Sequence, residues 1–253
     1  MPINYSRKVT GRKRTADANY HLGYVLCFVA GAVNAGGFLA VQQYTSHMTG
    51  IISSMADDLV LGSYDLVLSG LGAVISFLMG AMCSAIMVNF SRRRRMNSEF
   101  ALPLLLEASS LLCFGILGSS LEKIDGLFVP LTVMLLCFIM GLQNALITKI
   151  SKAEIRTTHL TGIVTDIGIE LGKLFYWNSR RFQHHPKIDA NRERLKLLML
   201  LVFFFFVGGV SGAVGFKHIG YIATLPLALI LILLASVPAL DDMVVLIRKI
   251  RRK

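Results

Sequence analysis

His47, Thr49 and Gly50 stand in the hexapeptide TSHMTG at residues 45–50. His159, Thr161 and Gly162 stand in TTHLTG at residues 157–162. An imidazole exchanges a proton near neutral pH, and a threonine hydroxyl both donates and accepts hydrogen bonds. A helix that starts at such a Thr-Gly pair leaves its first N–H groups without intrahelical partners. That end carries a partial positive charge and attracts anions. Asn34 and Asn144 precede the two motifs and add amides that donate or accept. The chemistry in view is noncovalent capture of a small anion or carboxylate. The same residues admit a plainer use. Thr45, Ser46, Thr157 and Thr158 then cap the helices that follow, and the histidines bond neighbouring carbonyls.

The two motifs belong to longer matching segments. Gly31 answers Gly141, Asn34-Ala35 answers Asn144-Ala145, and Asp58-Leu59 answers Glu170-Leu171. The offset is 110 residues before the histidine and 112 after it. So many matched polar positions point to an internal duplication. Each half reads as a span ending in a Gly-Asn element, a polar break, a short helix, and two further spans. Gly31, Gly36, Gly37 and Gly50, with Gly141 and Gly162, suggest broken or closely packed helices. The short helices are expected at 48–62 and 160–176. At ~1.5 Å per residue, 15 residues cover only about 22 Å. A hydrocarbon core of ~30 Å exceeds that, so these helices read as re-entrant or interfacial.

The elements that must carry these motifs are apolar and long. Of 253 residues, 54% are hydrophobic and only 16% charged, which argues against a soluble bundle. Spans are expected at 22–41, 66–90, 101–120, 127–148, 195–216 and 219–240. Of the 26 Lys and Arg, only Lys123 and Lys217 fall outside residues 1–20, 91–100, 149–156, 173–196 and 248–253. Basic residues resist translocation, so those segments mark the cytoplasmic side. The expectation is an all-α membrane protein with six transmembrane helices as a 3+3 inverted repeat. Its parts are a basic cytoplasmic segment at 1–20, repeats at 21–120 and 127–240, and a basic tail at 241–253. Both termini are cytoplasmic. The net charge of +11 is thus mainly a topology signal. Arg92–Arg95 are also placed to touch anionic headgroups. The basic runs lack interleaved aromatics, so nucleic acid is not an expected partner.

Carboxylates in or near the spans form a second set. Asp58, Asp166, Glu170 and Glu107 are candidates for an ion or proton path, Asp166 and Glu170 being four apart on one helical face. The alternative for the short-helix acids is an interfacial face in water. For Glu107 the alternatives are a reach toward Arg92–Arg95 or a lone intramembrane carboxylate. Cys27, Cys83, Cys113 and Cys137 lie inside apolar spans with no CxxC pair, as small buried hydrophobes. Gly208, Gly212, Ser211 and Gly215 form small-residue stripes that let helices approach, within the chain or in a homodimer. His184-His185 are adjacent and point apart on a helix, so no metal site is expected, and no cofactor. No nucleophile elbow, HExxH or nucleotide loop is present. The leading expectation is a small-solute transporter or channel for an anion or weak acid, with its site at the repeat interface. The alternative is a membrane scaffold or accessory subunit. An enzyme is not expected.

The stretch GAVNAGGFLAVQQYTSHMTG, the second HLTG and the pattern of spans resemble the YoaK-like family of small bacterial membrane proteins. The resemblance runs from about residue 20 to 240. It implies a bacterial inner-membrane protein and, the family's domain having no established activity, leaves function open. Family members often carry Asn after the motif glycine, where this chain has Ile51 and Ile163. That departure implies a different ligand, or none, if the Asn touches a substrate.

Overall fold

The computed structural model describes residues 16–94, 96, 99–121, 128–150, 160–176 and 189–250, and the regular structure among them is entirely helical. In chain order the helices are α1 (Ala16–Val41), α2 (Met48–Val60), α3 (Tyr64–Arg93), α4 (Ala101–Leu121), α5 (Phe128–Ile150), α6 (Leu160–Phe175), α7 (Arg192–Ile219) and α8 (Thr224–Ile250). A 3-10 turn, Gly220–Ala223, joins α7 to α8.

Local chemistry sets these bounds. Pro103, Pro130 and Pro226 are each the third residue of α4, α5 and α8, in the first turn, where no intrahelical N–H is required. The Asn191 side chain caps α7 by accepting from the Arg194 N–H at 3.0 Å. Gly220, with φ of 60°, ends α7 in a left-handed conformation natural to glycine. α1 stops at Gln42, whose φ of 55° puts a side-chain-bearing residue in the same region. That conformation costs about 1–2 kcal/mol.

Five apolar stretches are long enough to cross a membrane: Ala18–Val41, Tyr64–Arg93, Ala101–Gly118, Leu131–Ile150 and Arg192–Ser236. The last runs through α7, the turn and the start of α8. The expected short helix 48–62 ends at Val60, and that at 160–176 ends at Phe175. α1 and α5 are the inner pair, with over half of their apolar windows buried against under a third for α3. α3 instead turns Leu68, Leu71, Ile75, Leu78, Met82 and Ile86 outward. A surface so apolar is suited to lipid rather than water. Of the four cysteines, Cys27 and Cys137 are buried as expected, whereas Cys113 is exposed.

The main packings are α1 on α7, α3 on α5, and α4 on α8. Two of these use one device. A Cβ at Gly31 would land on the Phe205 carbonyl oxygen, and one at Gly208 on the Phe28 carbonyl oxygen. Likewise a Cβ at Gly141 would land on the Phe77 carbonyl oxygen, and one at Gly80 on that of Phe138. Phe28 and Gly31 stand 110 residues before Phe138 and Gly141. Phe77 and Gly80 stand 128 before Phe205 and Gly208. Glycine at all four places lets backbone touch backbone, which in lipid replaces a hydrophobic driving force. The Gly208–Gly212 stripe is thus used within the chain, Gly212 lying against the Ala32 backbone.

The short helices lie on the outer spans, α2 on α3 and α6 on α7. α2 and α3 form a hairpin. Ser63 N–H donates to Asp58 O at 2.8 Å and Gly62 N–H to Leu59 O at 3.3 Å. Gly62 has φ of 76°, so this is a Schellman stop. Met55 and Ile51 then rest over Gly70 of α3.

Candidate functional site

Ser46 shows how the first polar break is built. Its hydroxyl donates to Asn34 Oδ1 at 2.8 Å, and its backbone N–H approaches the same oxygen at 3.4 Å. Asn34 lies seven residues before the end of α1, about 10 Å along the axis at ~1.5 Å per residue. The chain leaving α1 at Gln42 therefore folds back alongside the helix before α2 begins. Asn34 spends its oxygen on this bond, which leaves its NH₂ as a donor.

The break leaves α2 uncapped. His47 is the N-cap residue, and its side chain makes no capping bond. Ser46 is engaged by Asn34 instead. Thr45 is buried, and its Oγ1 finds no hydrogen-bond partner among the described residues. Neither residue caps α2. The imidazole of His47 lies over Gly50, where a Cβ would collide with the ring, so the glycine makes room for the histidine three residues earlier. His47 and Thr49 are exposed. Donors, hydroxyl and imidazole thus gather at a helix start whose N–H groups are unsatisfied within the helix.

The second break is only partly described. His159, Thr157 and Thr158 lie outside the described residues. Thr161 and Gly162 are exposed at the start of α6, and the Thr161 carbonyl accepts from Thr165 Oγ1 at 2.8 Å. Asn144 Oδ1 is buried and has no partner among the described residues. Thr158, the residue that answers Ser46, is among those not described.

Gln143 is a buried polar residue beside this pair that motif reading passed over. Its Nε2 donates to the Leu26 carbonyl of α1 at 3.1 Å, while its Oε1 is unpartnered among the described residues. It ties the inner helices together. A signal was present: at the 110-residue offset Gln143 answers Val33, a polar side chain where the other copy is apolar.

The carboxylates divide. Glu170 is buried and accepts from Lys173 Nζ at 2.9 Å and from the Asn191 N–H at 2.8 Å, with Arg194 at 4.0 Å. The hydrogen bond from Lys173, then that from Asn191, hold its carboxyl below the ordinary value of 4.5. Asp166 pairs with Arg194 at 3.0 Å. Both acids therefore clamp α6 to the start of α7, and neither faces water unpaired. Asp58 is half-exposed and enters no ion pair among the described residues. Glu107 is fully buried in α4, and both its oxygens lack partners among the described residues. Of the two alternatives for Glu107, the reach toward Arg92–Arg95 is not made to Arg92, which pairs with Glu99 at 2.9 Å. Arg94 lies over the Phe90 ring. Among the described residues no group of three His, Cys, Asp or Glu is placed to hold a metal ion.

The protein family described as "Protein of unknown function (DUF1275)" matches residues 22–237, nearly the whole apolar region. The chain belongs to this family. Among curated proteins it is similar to the UPF0700 transmembrane protein YoaK of Bacillus subtilis (strain 168), with 28% identity over 161 residues. That covers 62% of this chain and 69% of the relative. No solved structure matches it significantly. As a YoaK-like member of the family with several apolar helices of crossing length, the chain is a multi-pass membrane protein.

Proposed function

We propose that this membrane protein moves a small anion or weak acid, by a transporter or channel mechanism, through a site built from its two polar breaks. The observation that carries this reading is the first break. The Asn34–Ser46 bond folds the chain back so that an uncapped helix start, with His47 and Thr49 beside it, is held alongside α1. A helix start whose first N–H groups have no intrahelical partners and no side-chain cap is a fitting receiver for a carboxylate or small anion. Asn34, His47, Thr49 and Gly50 form one half of the site, and Asn144, His159, Thr161 and Gly162 the other. The solute is bound and released without covalent chemistry. Glu107, buried and without a partner among the described residues, is in this reading the carboxylate for a coupled cation or proton.

The architecture in this reading is a 3+3 inverted repeat with six crossings. Arg192–Ser236 covers 45 residues, about 68 Å as one straight helix, so it counts as two crossings separated at Gly220. Exchanging α1 with α5, α3 with α7 and α4 with α8 maps the observed packings onto one another, down to the glycine–carbonyl contacts. Both termini then lie in the cytoplasm and the protein in the bacterial inner membrane.

The test is uptake of radiolabelled anions and weak acids into proteoliposomes. His47→Ala and His159→Ala are each expected to abolish flux while protein levels stay intact. Normal flux in both variants would remove the site. If the wild type moves no solute and co-purifies with one stoichiometric partner, the scaffold reading replaces this one.

A further inference from the structure

The clamp that fixes α6 on α7 leaves a groove of about 650 Å³ at the basic end of α7. Leu174 from α6 forms one wall. Arg192, Lys196, Met199, Leu200 and Phe203 from α7 form the floor and the other wall. Arg192, Lys196, Met199 and Phe203 stand at i, i+4, i+7 and i+11, so they share one helical face. All four are exposed. Two cations one turn apart therefore open a stripe that turns apolar at Met199 and Phe203.

The neighbouring charges sharpen this polarity. Asp166 and Glu170 are engaged by Arg194 and Lys173. Neither Arg192 nor Lys196 has an ion-pair partner among the described residues. Phe175 and Tyr176, which follow Leu174 in the chain, are exposed, and aromatic side chains favour the headgroup level. A cation pair with no ion-pair partner among the described residues, at one end of an open apolar groove, matches an anionic headgroup above acyl chains.

We infer that this groove binds one anionic phospholipid, its phosphate between Arg192 and Lys196 and its chains along Met199 and Phe203. The site is separate from the polar breaks and does not require that the protein transport anything. The Arg92–Arg94 cluster serves as the internal contrast, since Arg92 is paired and Arg94 is stacked on Phe90.

The experiment uses the full chain purified in neutral detergent. Retention of short-chain phosphatidylglycerol is titrated by native mass spectrometry, beside phosphatidylcholine of equal chain length and glycerol 3-phosphate. Wild type is expected to hold phosphatidylglycerol as a single saturable adduct and phosphatidylcholine far more weakly. Arg192→Gln with Lys196→Gln is expected to weaken that adduct roughly 30-fold. Arg93→Gln with Arg94→Gln, which removes equal charge, is expected to leave it unchanged. The swap Arg192→Lys with Lys196→Arg is expected to restore binding, which separates lost charge from misfolding. Glycerol 3-phosphate is expected not to compete, since it lacks the chains. Equal retention by the Gln pair and wild type, equal loss in both Gln pairs, no rescue by the swap, or displacement by glycerol 3-phosphate would each overturn the assignment.

Discussion

The two short helices match in sequence and each rests on an outer span, yet they are held in different ways. α2 is stopped by Gly62 in a Schellman turn, and three residues lead straight into α3. α6 has Leu174 at the position answering Gly62. It runs on to Phe175 and is tied down by charge, with Glu170 and Asp166 holding Lys173, Arg194 and the Asn191 N–H. A short helix on a span must be fixed at its far end if its start is to stay at a defined depth. One half does this with backbone geometry, the other with ion pairs. The glycine–carbonyl crossings beneath them are the same in both halves. The shared part is therefore the crossing, and the divergent part is the anchor.

The largest effect is expected where the halves agree. Gly31→Ala and Gly141→Ala each drive a methyl into a backbone carbonyl that cannot rotate away. Each is expected to cost about 3 kcal/mol, the upper end of overpacking penalties. Thermal unfolding in detergent should give similar losses for the two. A large loss in one and none in the other would break the equivalence.

The next effect separates the anchors. Glu170→Gln is expected to loosen α6, seen as faster hydrogen exchange over 160–176, with exchange in α2 unchanged. Its folded carboxyl titrates below 4.5, so its stabilising effect is full above that value and is lost as pH falls through the lower folded value. The wild type should lose α6 protection in that acid range, and Glu170→Gln should show a flatter profile. Gly62→Ala acts on the other anchor. It places a Cβ at positive φ and is expected to cost about 1 kcal/mol, with exchange rising over 48–60 only.

The smallest effect concerns the break itself. Asn34→Ala removes the bond that folds Ser46 back, worth about 1 kcal/mol. Stability should fall little, while accessibility of a cysteine placed at Thr45, buried and without a hydrogen-bond partner among the described residues, should rise in thiol labelling. No change in labelling would mean the fold-back is held by something else.

Much of this was legible beforehand, and the failures have physical causes. The helical membrane class followed from apolar runs too long for a soluble core, and the short helices from runs too short to span. The stripe at Gly208 and Gly212 announced a close contact. Its partner, the backbone from Phe28 to Ala32, could not be read, because a carbonyl carries no sequence signature. Thr45 and Ser46 looked like caps since hydroxyls before a helix usually are. Ser46 instead bonds Asn34, twelve residues away, because the chain doubles back at Gln42. Asp166 and Glu170 were visible as a pair on one face. Their partners Arg194 and Asn191 come from beyond a linker whose path no local pattern specifies. Glu107 remained ambiguous in sequence because the competing arginines were near in number, and Glu99 sits nearer still to Arg92.

The central claim is that the two short helices lie against opposite faces of the membrane. It is tested most directly by single cysteines at Val60 and Phe175, in a background lacking Cys27, Cys83, Cys113 and Cys137. Both positions are strongly exposed. With a membrane-impermeant thiol reagent on intact cells, the account predicts labelling at residue 60 only, with residue 175 labelled after the membrane is opened. Labelling of both from the same side would contradict it.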